Sequence, residues 1–196
     1  MIMLLAAAMV MVATADAGET KTFNTNKIQL DHFYANTWGI NLGSLDNPIT
    51  EATLTFSNIR NWNRDVNVLY IHLLNTTSAS QVGTNVYRDG LRSSTDFFDG
   101  KGVLVAAWQD EDFKGNTLTI KLDEDLLAVL NSYAVDGYIG FGFDADCHYY
   151  NSGISFTVTT SSQPEPANLI VPAPGAILLA GIGTTLVGWL RRRSVV

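Results

Sequence analysis

Between about residues 21 and 160 apolar and polar residues alternate along most of the chain. Thr50 to Ile59 reads TEATLTFSNI, with Ala52, Leu54 and Phe56 on one face and Thr53, Thr55 and Ser57 on the other. A period of two is the mark of a half-buried β-strand, because successive side chains of a strand point to opposite faces. Asn67 to Leu74 (NVLYIHLL) is more continuously apolar, as a central strand would be. Val103 to Trp108, Thr117 to Leu122, Tyr138 to Phe143 and Ile154 to Val158 predict further strands, and Lys27 to Phe33 and Thr37 to Leu42 are weaker candidates. One helix is expected over Asp123 to Tyr133, with acids in its first turn and Leu126, Leu127 and Leu130 on a common face. Long Ser, Thr, Asn, Gly and Asp-rich loops are expected at 75–100 and 109–116, where recognition by such a domain would sit. Many short strands with a single helix predict an all-β fold: an antiparallel β-sandwich, jelly-roll-like, over residues 18–160. The Cys…Trp…Cys pattern of immunoglobulin domains does not occur.

The two ends break this pattern. Ile2 to Val12 is an unbroken apolar run followed by small residues at Ala13, Ala15 and Ala17, which predicts a signal peptide over 1–17 cut before Gly18. No basic residue precedes the run. Residues 161–170 are a polar, proline-containing linker; TTSSQPEPA occupies Thr159 to Ala167. Val171 to Leu190 then carries no charge over twenty residues, which as a helix spans the ~30 Å of a hydrocarbon core. Trp189 stands at the expected interface, and Arg191, Arg192 and Arg193 follow, a cluster that holds its side in the cytoplasm. Ala176, Ala180, Thr184 and Gly188 recur every four residues, a small-residue stripe suited to close approach of a second helix.

Pro172-Ala173-Pro174, the apolar helix and the terminal arginines together resemble the PEP-CTERM sorting domain. That resemblance implies an intramembrane exosortase that recognises the segment 171–193 and cleaves near the prolines, passing the protein to the cell surface or extracellular matrix. Ala173 stands where the family has glutamate; a Pro164-Glu165-Pro166 lies eight residues earlier, away from the span. A plain tail anchor is the alternative. The segments NWNRDVNVLYIHLL and GFGFDADCHYYNSG also resemble domains of other proteins bearing this tag, a likeness of architecture rather than of activity.

Charge changes the picture in one respect. The formal net charge is -7, and without Arg191, Arg192, Arg193 and Asp16 there remain 9 basic against 18 acidic residues. Such a surface repels phosphate backbones, so nucleic acid is not an expected partner. The one cysteine, Cys147, excludes an internal disulfide and a thiolate-rich metal site.

The densest chemistry lies in Gly140 to Gly153. Asp144, Asp146 and Asn151 place oxygens close together in an expected loop, the beginning of a calcium site; side-chain capping of turns is the ordinary role of these residues. His148 beside Cys147 suggests a transition metal only if His32 and His72 converge on it, and His72, in an apolar strand, reads as a core residue. Trp62 and Asn63, with Tyr149 and Tyr150, offer the flat rings and amides that bind sugars; the alternative for Trp62 is a plug at the end of the core. Neither G-x-S-x-G nor H-E-x-x-H occurs, and Gly140, Gly142 and Ala145 fit a dinucleotide spacing only inside a strand, the wrong context. The expected product is a non-catalytic, exported surface or matrix protein of structural or adhesive role, associated with polysaccharide. The alternatives are a polysaccharide-active enzyme and a calcium-stabilised binding module.

Overall fold

The structure, a computed structural model, describes residues 18–76, 79–89, 95–110 and 113–162. All lie in one compact unit, Ala17–Gln163. The expected signal peptide (1–17), the sorting segment (171–193) and most of the linker lie outside the described residues. Among the described residues no helix is long and apolar enough to cross a membrane.

The strands are β1 (Thr20–Thr25), β2 (Tyr34–Asn41), β3 (Ile49–Asn61), β4 (Val68–Leu74), β5 (Gly83–Arg88), β6 (Val103–Gln109), β7 (Asn116–Lys121), β8 (Tyr138–Ala145), β9 (Tyr149–Tyr150) and β10 (Gly153–Thr160), with one α-helix, α1 (Glu124–Tyr133). The first sheet runs β1-β10-β3-β7, with β9 paired to the end of β3; the second runs β5-β2-β8-β4-β6. Every pairing of these strands is antiparallel.

The alternation read in the sequence is what joins the sheets. Ala52, Leu54 and Phe56 of β3 and Ile154, Phe156 and Val158 of β10 are buried on one side, Ile71 of β4 and Phe141 and Phe143 of β8 on the other, all in one core. Phe56 meets Phe143 edge to face at 5.4 Å, and Phe156 meets Phe141 at 4.9 Å. Burying each such side chain contributes roughly 1.5–3 kcal/mol. In β3 the alternation is reset by a bulge: the register with β7 shifts between Phe56 and Ile59, and Asn58 takes a φ of 50°. Asparagine tolerates that left-handed backbone, and the extra residue brings Ile59 back to the core face.

Helix α1 begins one residue later than the pattern predicts, because Asp123 is its cap: its carboxylate accepts the N–H of Leu126 at 2.9 Å. Asn131 clamps the helix to β3, accepting from Ile49 N at 2.8 Å and donating to Ile49 O at 2.9 Å.

Three expectations change. Lys27 to Phe33 is no strand: a turn closed by Tyr34 N donating to Asp31 O interrupts it, and only single bridges form at Leu30 and Asp31. The expected loop 75–100 contains edge strand β5, whose polar, exposed residues carry no alternation of burial. Strand β1 precedes the first predicted strand; it pairs with β10 through Thr20–Thr159 and Thr22–Thr157 hydroxyl bonds, both 3.0 Å.

Candidate functional site

Strand β8 is buried along nearly its whole length, although only one of its faces belongs to the core. Its other face carries Gly140, Gly142 and Asp144, and the segment 95–101 lies across it. Gly142 makes this possible, since a Cβ there would stand 2.9 Å from the ring of Phe98. The covering segment is tied down by polar contacts. Asp144 accepts the N–H of Phe97 at 2.8 Å, Asp96 accepts that of Phe98 at 2.9 Å, and His72 of β4 donates from Nε2 to Asp96 Oδ2 at 2.7 Å.

The register sets Tyr70 opposite Asp144 and His72 opposite Gly142, so His72 and Asp144 are diagonal neighbours on one face. Both are almost fully buried, at 3% and 2% exposure, and His72 Nδ1 and Asp144 Oδ1 have no hydrogen-bond partner among the described residues. Burial, more than any charge, pushes the Asp144 carboxyl up to about 6; the Phe97 N–H opposes the shift, and Asp89, Asp96 and Asp146 add to it. Asp146 is raised by burial and held back by the N–H of Val68, and Asp89 is raised by burial and lowered by Lys101.

Beside this cluster lies a groove of about 330 Å³, walled by β2, β5, the residues 74–76 with Gln81, and the segment 97–101. Tyr87 and Phe97 stack at 6.1 Å and 28°, and the Lys101 ammonium sits 3.5 Å above the Phe97 ring. Thr37, Thr76, Asn75 and Asn85 supply hydroxyls and amides.

The residues expected to bind sugar are brought to one edge but do not share one environment. Trp62 is 55% exposed, its indole N–H donating to Cys147 Sγ at 2.9 Å, so it does not plug the core. Tyr150 is 39% exposed, under Arg60 at 5.1 Å and against His148 at 4.7 Å. Tyr149 is a correction: it is 1% exposed, its hydroxyl donates to Asn67 O, and burial raises its pKa. Neighbouring residues of a strand face opposite sides, so only one of the two tyrosines can reach the surface. Asn63 is spent locally, bonding to Asp65 and Asn67.

Nor do the expected calcium ligands point to one place. Asp144 is on a strand rather than in a loop, Asp146 Oδ1 accepts the N–H of Val68 at 2.6 Å, and Asn151 binds the N–H and C=O of Ile28 at 3.4 and 2.7 Å. His32 and His148 flank Asp31, at 3.1 and 3.3 Å, while His72 lies with Asp96, so the three histidines do not meet. Among the described residues no group of three or more His, Cys, Asp or Glu is placed to hold a metal ion. The pairing of His72 with Asp96 and the groove are absent from the sequence reading: their residues lie far apart in sequence, and only the polar 75–100 stretch pointed toward them. No protein-family model matches this chain, and no curated protein matches it.

Proposed function

We infer that this chain is an exported structural or adhesive module of the cell surface or matrix, holding polysaccharide on a rigid jelly-roll-like β-sandwich. The strand order supports that architecture. With β5 and β9 set aside, β1-β10-β3-β7 lies against β2-β8-β4-β6, the order produced when a chain passes back and forth between two sheets. Export rests on the resemblance of the 171–193 segment to exosortase substrates, and the exosortase is then a transient membrane partner.

The observation that carries the adhesive reading is the exposure of Trp62 and Tyr150 on one edge, beside Arg60 and His148. Large rings left in water by a domain with a well-filled core present flat apolar area to a partner, and sugar rings stack on such surfaces. A glycan array on the exported protein tests it: Trp62→Ala should lose binding at unchanged melting temperature. Unchanged binding would remove the role of this edge.

A polysaccharide-active enzyme is the second reading. It draws on Asp96 and Asp144, close enough for the charge of one to raise the pKa of the other. Release of reducing ends from a polysaccharide, lost in Asp144→Asn, would favour it.

A further inference from the structure

The groove on the outer face of the second sheet differs in make-up from the Trp62 edge. Its floor comes from β2 and its wall from β5, in a register that puts Thr37 opposite Asn85 and Ala35 opposite Tyr87. The opposite wall is the segment held down by His72 and Asp144, which carries Phe97, Phe98 and Lys101. Tyr87 stacks on Phe97, yet the residue remains 44% exposed. About 330 Å³ is the small end of the ~300–1,000 Å³ range of small-molecule clefts.

We propose that this groove is a second saccharide site, which takes one or two neutral sugar rings of a polysaccharide. A pyranose has an apolar face of C–H bonds and a rim of hydroxyls. The face matches the Tyr87 ring, and the rim needs groups that both donate and accept, which the Asn75 and Asn85 amides and the Thr37 hydroxyl do. Lys101 adds donors; held on the face of Phe97, it is already ordered. The charge favours a neutral ligand, because Asp89 stands close enough to Lys101 for its pKa to feel the ammonium, and the whole chain carries -7.

The pinning of the wall gives the site its preorganisation. The Asp144 bond to the Phe97 N–H fixes the backbone that carries the ring. A wall fixed before binding spares the ligand the cost of ordering it. Two sites on one rigid body also make a cross-linker, whose avidity for a repeating polymer exceeds that of either site.

The test is isothermal titration of the full chain, in a detergent without a sugar headgroup, against neutral oligomers (cellopentaose, xylopentaose, mannopentaose) and an oligouronate. At least one neutral oligomer should bind. Tyr87→Ala and Asn85→Ala should each weaken it by tenfold or more, whereas Tyr87→Phe keeps the affinity. Both positions are exposed on an edge strand, and an unchanged melting temperature confirms that the variants fold. Failure of all neutral oligomers, binding of the oligouronate alone, or full affinity in both Tyr87→Ala and Asn85→Ala would overturn the proposal. Trp62→Ala separates the two sites: binding lost there and kept in Tyr87→Ala leaves the edge and removes the groove.

Discussion

Asp144 accepts the backbone N–H of Phe97 across 2.8 Å, joining the central strand of the second sheet to the segment that covers it. The bond comes with a cost, because the same carboxylate is buried and its second oxygen lacks a partner among the described residues. Burial lifts its folded pKa to about 6, above the ordinary carboxylate value of 3.8. The folded state therefore binds the proton more tightly, and stability rises as pH falls from about 6 toward 4. For a shift of this size the gain is of the order of 3 kcal/mol. Urea titrations across that range should show the rise, and Asp144→Asn should flatten it while raising stability at pH 8. A wild-type profile without a rise would overturn the raised pKa, and an equal rise in Asp144→Asn would assign the response to another group.

Gly142 and Phe98 should behave as one unit. Gly142→Ala places a methyl 2.9 Å from the ring, and overpacking of this kind destabilises by about 1–3 kcal/mol. Phe98→Ala removes the obstacle, so the double variant should lose less than the two single losses combined. Strict additivity in chemical denaturation would show that the ring moves aside freely.

Asn151 is read as a clamp on Ile28 and not as an ion ligand. Asn151→Ala leaves a buried N–H and C=O unpaired, a loss of about 1–3 kcal/mol. Melts in millimolar calcium and in EDTA should superimpose. A calcium-dependent rise, lost in Asp146→Asn, would restore the ion, since a ligand bound only by the folded state must stabilise it.

Processing of the exported form is checked by mass spectrometry. Its C-terminus should lie near Pro174, and replacing Arg191, Arg192 and Arg193 by Ala should leave the uncut form in the membrane. A mature protein that still ends at Val196 would return the segment to a plain tail anchor.

The strands of the core were legible because burial repeats with the period of the backbone. Ala52-Leu54-Phe56 and Ile154-Phe156-Val158 face the core as their spacing predicts, and Asp123 marks the start of the helix through its chemistry as a cap. Edge strand β5 and polar β1 escaped, since neither buries a full face. Composition alone excluded an internal disulfide, since Cys147 is the one cysteine.

Tertiary structure decided what those residues do. Whether Tyr149 or Tyr150 meets solvent depends on where β9 joins β3, and alternation alone leaves both assignments equal. His72 became the partner of Asp96 because a distant segment folds over β8, where Gly142 leaves room for it. Local sequence sets the faces of each strand through sterics and hydrophobicity. Contacts between segments far apart in the chain arise only when the sheets pack, and both the buried His72–Asp96–Asp144 cluster and the groove beside it are made of such contacts.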